Sequence, residues 1–257
     1  MIRKIVRNIK GGMMKKVITG ILAGLLVAAI LPAPGYGQDA KDVLEKMIEA
    51  QGGRKVLAGL KDTTVSGTME MIQQGMNATL TMYQKEPNMM RMDIEIMGMV
   101  ITQAYDGQKA WYLNPQTGAV QEMDETMAKE FKRQAMGNDS LLNPDKYGIT
   151  FAFKGKEKIG DKDCPVLEQT LSDGHKNTFY LDPATYLVLK TKTMASNPMG
   201  GGDVLTETTM GDYRKEGDAM VAHTMTILQD GAEFARMTLT KITYNTGIED
   251  TLFQMGK

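Results

Sequence analysis

The sequence predicts a mainly β, α+β fold: one domain of roughly twelve antiparallel strands with two main helices. Three observations predict it. Apolar and polar residues alternate with a period of two from Asp62 onwards. Tight-turn residues separate the alternating runs, and strand, tight turn, strand means an antiparallel meander. Helical spacing is confined to a stretch before the first strand and a stretch between two strand series.

The first helix is capped by Asp39 or Asp42, with Val43, Leu44, Met47 and Ile48 at helical spacing. Gln51-Gly52-Gly53 stops it, and a short second turn covers Arg54 to Leu60. Val65, Gly67, Met69 and Met71 then alternate with Thr64, Ser66, Thr68 and Glu70. Beyond Gln73-Gln74-Gly75, Met76, Ala78, Leu80 and Met82 form the next apolar face. Beyond Glu86-Pro87-Asn88, Met90, Met92, Ile94 and Ile96 form a third. Gly98 breaks that run, Met99 to Tyr105 is a fourth strand, and the Asp106-Gly107 turn leads into a fifth, Lys109 to Leu113. Asp124 to Met136 reads as an amphipathic helix, with Met127, Phe131 and Ala135 four apart. The second series reads as 150–156, 166–171, 176–181, 187–194, 204–213, 221–228 and 234–244. Its turns sit at Gly160-Asp161, Asp173-Gly174, Asp182-Pro183 and Asp230-Gly231, and Ser196 to Asp203 is a glycine-rich loop.

Composition narrows the function. The 257 residues hold 30 Lys+Arg and 31 Asp+Glu, but residues 1–37 hold six basic groups and no acidic one. The remaining 220 residues therefore carry a net charge of −7, which argues against nucleic acid or an anionic surface as partner. The basic start, the apolar run Val17 to Leu31, and the small residues Gly35 and Gly37 read as a cleaved secretory signal. The expected organisation is a signal over 1–37 and a single domain over 38–257, with Met13 and Met14 as alternative starts. The apolar run falls short of the ~20 residues that cross a bilayer, and no cysteine follows it to take a lipid anchor. The expected location is the periplasm.

Catalytic constellations are sparse. His175 and His223 are separated in sequence, and no nucleophile motif or phosphate loop accompanies them. The single cysteine, Cys164, reads as a small buried filler. No enzyme activity and no cofactor are expected.

Methionine is the unusual feature, with twenty of the 23 falling after residue 37. Unbranched and polarisable, it adapts to varied apolar guests and specifies a rigid core poorly. An interior lined this way suits changing contents. A methionine-tolerant core with no ligand is the plain alternative. Copper(I) is another, because thioethers are soft ligands and Met69-Glu70-Met71 or Met89-Met90-Arg91-Met92 carry them. Alternate residues on one strand stand ~7 Å apart, however, so a single strand supplies ligands awkwardly, and no His or Cys accompanies them.

Lys85-Glu86-Pro87-Asn88-Met89-Met90-Arg91-Met92, followed by Tyr105-Asp106-Gly107-Gln108-Lys109-Ala110-Trp111-Tyr112-Leu113-Asn114-Pro115, resembles the LolA family of periplasmic outer-membrane lipoprotein carriers. The order of helix, meander, helix and long β tail, ending in residues 244–253, resembles it too. The resemblance implies an unclosed antiparallel β half-barrel of about eleven or twelve strands, with helices covering its concave face. Acyl chains of lipoproteins or other lipids would bind between sheet and helices. Donor and acceptor proteins at the inner and outer membranes are implied as partners, and the protein is expected to be a monomer. The superfamily also holds an outer-membrane acceptor (LolB), a mycobacterial lipid carrier and an envelope-stress regulator (RseB), so a sensor that uses the same cavity is the second reading. In the proteobacterial carrier an arginine before the proline holds the helical lid by bonding its backbone. Here that lid-latch position is Glu86, an acceptor that cannot replace donated bonds.

The expected lining is Met69, Met71, Leu80, Met82, Met90, Met92, Ile94, Ile96, Trp111 and Leu113. The expected plug, which swings aside for lipid, is Val43, Met47 and Ile48 with Met127 and Phe131. Each buried methylene contributes about 0.8 kcal/mol, so a sixteen-carbon chain offers about 12 kcal/mol. A carrier must release its cargo, so part of that energy should oppose opening of the cover.

Overall fold

Within each of two series every strand pairs with its neighbour in sequence, and pairing of the first strand with the last joins the series into one continuous antiparallel sheet. A computed structural model describes residues 36–114, 116–196 and 202–256. The expected signal run and residues 197–201 of the glycine-rich loop lie outside the described residues. The strands are β1 (Asp62–Met71), β2 (Met76–Lys85), β3 (Met89–Ile96), β4 (Met99–Tyr105), β5 (Ala110–Leu113), β6 (Val120–Glu122), β7 (Thr150–Ile159), β8 (Lys162–Thr170), β9 (Lys176–Leu181), β10 (Val188–Ser196), β11 (Asp203–Glu216), β12 (Ala219–Gln229) and β13 (Ala232–Tyr244). They lie in the order β6-β5-β4-β3-β2-β1-β13-β12-β11-β10-β9-β8-β7. The first strand series and the second therefore form two arms joined where β1 pairs with β13. That joint is kinked by a bulge at Ser66/Gly67. A Cβ on Gly67 would fall 2.5 Å from the Thr238 carbonyl oxygen, so the close approach requires glycine.

Among the described residues, four helices accompany the sheet: α1 (Tyr36–Ala50), α2 (Arg54–Gly59), α3 (Glu125–Gln134) and α4 (Asn138–Leu142). A 3-10 turn, Pro144–Tyr147, follows α4. Helix α3 starts where Asp124 caps it by accepting the Met127 N–H at 2.9 Å, and it ends with Lys132 and Arg133 in its last turn.

The position of α3 shows that the sheet curls. It packs against β4 and β5 on one arm and β10 on the other. Strands β5 and β10 stand eight places apart in the sheet. At about 4.8 Å per strand a flat sheet would separate them by roughly 38 Å, whereas ten helical residues span only about 15 Å. The sheet is therefore an unclosed half-barrel. Helix α1 packs on β7 and β8, on the same face by register as α3.

Two clusters of buried side chains form on this helix-covered face. Ala40, Val43, Leu44, Met47 and Ile48 of α1 pack with Leu167, Leu181 and Val188. Met90, Tyr105, Ala110 and Met123 pack with Phe131 and Ala135 of α3. The opposite, convex face is covered in part by the C-terminal segment. Trp111 donates its indole N–H to the Phe253 carbonyl at 2.7 Å, Arg91 donates to Leu252 O at 3.1 Å, and Lys85 to Ile248 O at 2.6 Å.

Candidate functional site

The inward face of the sheet reads off the ladder. Met71, Met69, Gly67 and Val65 of β1 lie opposite Met76, Ala78, Leu80 and Met82 of β2. The last three lie opposite Ile96, Ile94 and Met92 of β3. Ile94 and Ile96 in turn face Ile101 and Met99 of β4. On the other side of the joint, Met237 and Ala235 of β13 face Met225 and Ile227 of β12. The result is an apolar floor that crosses the middle of the half-barrel.

Exposure divides this floor into two zones. Under the helices it is closed: Met90, Tyr105, Ala110 and Phe131 are buried on one arm, and Met47, Ile48, Leu167 and Leu181 on the other. In the middle, Met69, Met71, Met76, Ile94, Ile96, Met225, Ile227 and Met237 are only half-buried. Half-exposed apolar side chains facing inward between two covered arms form an open trough. A separate cleft of about 580 Å³ lies on the convex side, lined by Thr68, Glu70, Asn77, Thr79 and Arg236 together with apolar residues such as Met97.

Of the residues expected to line a cavity, Met69, Met71, Leu80, Met82, Met90, Met92, Ile94 and Ile96 share the inward face. Trp111 and Leu113 do not. Ala110 and Tyr112 of β5 take the inward positions opposite Tyr105 and Gln103, so the strand period turns Trp111 and Leu113 to the convex side. There Trp111 is 4% exposed beneath the C-terminal segment. Val43, Met47 and Ile48 are buried against the second arm, and Phe131 against the first. Met127 is 42% exposed and plugs nothing. It lies a turn too close to the Asp124 cap, and the face of α3 that meets the sheet runs through Ala128, Phe131 and Ala135.

Glu86 does touch a helix backbone, with the polarity opposite to an arginine. Helix α4 has Gly137 at its N-cap and no capping side chain of its own. The Glu86 carboxylate supplies the cap from the β2–β3 corner: Oε1 accepts the Asn138 N–H at 2.6 Å and Oε2 the Asp139 N–H at 3.2 Å. A Cβ on residue 137 would overlap both carboxylate oxygens, so Gly137 makes the approach possible. The neighbouring Pro87 carbonyl accepts the Gly137 N–H at 3.1 Å. At the other end of α4, Arg54 donates to Leu142 O at 2.8 Å, while its fork pairs with Glu45 of α1. An anion at the N-terminus and a cation at the C-terminus match the helix dipole. Clefts of about 600 Å³ and about 340 Å³ flank α4, the second lined by Leu57, Lys61, Glu86, Pro87 and Leu142.

Burial, more than anything else, pushes the Glu86 carboxyl above its ordinary value, against the pull of the two backbone N–H bonds. Asp139 behaves oppositely: bonds from Lys146, Tyr147 and Asn143 hold it down to about 2. Cys164 is buried, and that burial pushes its thiol up, away from the reactive thiolate. His175 Nε2 lies 2.8 Å from Thr193 Oγ1. His223 is buried, with Nδ1 3.2 Å from the Leu239 carbonyl and Nε2 3.0 Å from Glu216. Among the described residues, no three His, Cys, Asp or Glu side chains are grouped to hold a metal ion, and no helix is long and apolar enough to cross a membrane.

Residues 93–257 match the model of a family described as "uncharacterized protein". No curated protein matches the chain. Several solved structures share its fold. An outer membrane lipoprotein-sorting protein domain from Vibrio parahaemolyticus is 20% identical, with a TM-score of 0.56 over 83% of this chain and 97% of that one. A DUF1329 family protein from Desulfovibrio piger is 15% identical, with a TM-score of 0.57 over 85% and 97%. A LolA superfamily protein from Nitrosomonas europaea is 13% identical, with a TM-score of 0.56 over 84% and 97%.

Proposed function

The chain belongs to the family whose model spans residues 93–257 and carries the LolA-type fold, and on that premise we propose that it is a periplasmic carrier of acyl chains. The observation that carries this reading is the half-buried inward row of Met69, Ile94, Ile96, Ile227 and Met237, left open between two helix-covered arms. Hydrocarbon tails of lipoproteins or other lipids lie along this floor and bury it further. Outer-membrane delivery is the destination that the likeness to lipoprotein-sorting domains supports.

Covering half-exposed methionine and isoleucine stabilises the complex in proportion to the apolar area removed from water, about 25 cal/mol per Å². Methionine limits that gain, because a flexible lining complements no single tail shape perfectly. Release then needs only a modest push. The cover that moves is the α2–α4 corner, which is held to the β2–β3 corner by Glu86 and to α1 through Arg54.

Displacement of a fluorescent fatty-acid probe by palmitate or an acylated peptide tests the reading. Ile94→Asp, which places a charge on the open floor, is expected to weaken probe binding at least tenfold with β-content retained. Met90→Asp, beneath α3 in a fully buried position, is expected to unfold the first arm instead. A wild-type protein that ignores palmitate, phospholipid and acylated peptide overturns the proposal.

A further inference from the structure

We propose that the floor of the trough holds copper(I) on the thioethers of Met69, Met225 and Met237. Three consecutive strands place these residues in one line: Met225 of β12 lies opposite Met237 of β13, and Met237 lies opposite Met69 of β1. Directly opposed residues of an antiparallel pair have Cβ atoms only about 4.5–5.5 Å apart. Methionines two apart on one strand, such as Met69 and Met71, stand ~7 Å from each other. The register thus supplies the spacing that a single strand lacks, and three torsions per side chain let the sulfurs converge on one point.

The surroundings suit a soft monovalent ion. All three side chains are half-buried and face the open side of the trough. Small neighbours leave room around them: Ala78 lies opposite Met69, and Ala235 is the preceding inward residue on β13. The nearest charges on these strands, Glu70 and Arg236, pair with each other on the convex face. Met210 of β11 continues the line opposite Met225. Its side chain, however, packs with the α1 cluster, and the Tyr213 hydroxyl beside it donates to Val188 O at 2.6 Å. Three sulfurs therefore remain. His223, the preceding inward residue on β12, faces Leu239 O and Glu216 instead.

Thioethers select copper(I) over the harder divalent ions. They also carry no proton at any accessible pH, so binding releases none, whereas His and Cys ligands must first deprotonate. Strands favour β-branched and aromatic side chains, so three methionines in one cross-strand line call for a reason beyond sheet formation. The site does not depend on the carrier reading, although an acyl chain and the ion would compete for the same floor.

The test uses delipidated protein, anaerobic copper(I) and bicinchoninate as competing chelator. The wild type is expected to withdraw one equivalent of copper(I), with an affinity unchanged from neutral pH to about pH 5. Met237→Leu nearly conserves volume and keeps the fold. It is expected to lose at least tenfold in copper affinity with β-content and melting temperature retained. Met97→Leu, at the exposed tip of the β3–β4 hairpin, is expected to change nothing. The proposal is overturned if no copper leaves the chelator, if Met237→Leu binds as the wild type does, if both variants lose equally, or if affinity falls with acid as a histidine site would.

Discussion

At the scale of single residues, Glu86 shows how a strand corner can hold a helix through a carboxylate. An arginine at that corner would donate to helix carbonyls. Glu86 reaches the other end of a short helix and accepts its free N–H groups. Losing a helix N-cap costs about 0.5–2 kcal/mol, so Glu86→Ala is expected to loosen α4 by about 1 kcal/mol, read as faster amide exchange at Asn138 and Asp139. The pH dependence follows from the direction of the shift. Burial raises the docked carboxyl above its ordinary value, and nearby Asp139 adds to this while Lys61 opposes it. The proton is then held more tightly when α4 is docked than when it is released. Docking is fully supported below the ordinary carboxylate range and loses support as pH rises through the raised value. Amide protection of α4, corrected for intrinsic exchange, is expected to fall over that interval in the wild type and to stay flat in Glu86→Gln. Protection that grows with pH reverses the sign and refutes this account. The cap was not legible in the sequence, because a carboxylate that accepts from backbone N–H groups needs a partner 52 residues away.

At the scale of elements, the alternating runs announced themselves, and β9 falls at its expected bounds, 176–181. What stayed hidden has physical reasons. Strand β6 has three residues and α4 five, too short for a period to register. Ala110-Trp111-Tyr112-Leu113 is apolar throughout, so alternation does not say which side faces inward; the hydrogen bond from Trp111 to Phe253 does. In α3, four-residue spacing picks out Met127 as readily as Phe131, and only the sheet decides between them. The clamp on α4 belongs to this scale. Arg54→Ala removes the bond to Leu142 O and the pairing with Glu45 together. It is expected to raise exchange across Asn138–Leu142 while leaving the protection of β2 and β3 unchanged.

For the whole molecule, the sequence showed a meander, but the curl of the sheet and the copper line both depend on which strands become neighbours. The closing of β1 on β13 brings Met69 beside Met237, 168 positions further along the chain. Nothing local encodes that pairing. The same closure leaves two arms free to part, and α3 spans them: its body lies on β4 and β5, and Arg133 grips Asp173 in the β8–β9 turn at 2.8 Å. Helix and ion pair thus act as a tie-beam across an open arch, setting the width of its mouth. A partly buried surface pair contributes about 1 kcal/mol or less, so the beam resists spreading only weakly. Arg133→Ala is expected to enlarge the radius of gyration in solution scattering and to shift preference towards bulkier, multiply acylated cargo, with little loss of melting temperature. The aperture, and with it the girth of what can be ferried, would then be tuned at one bolt in the span, far from any side chain that touches the load.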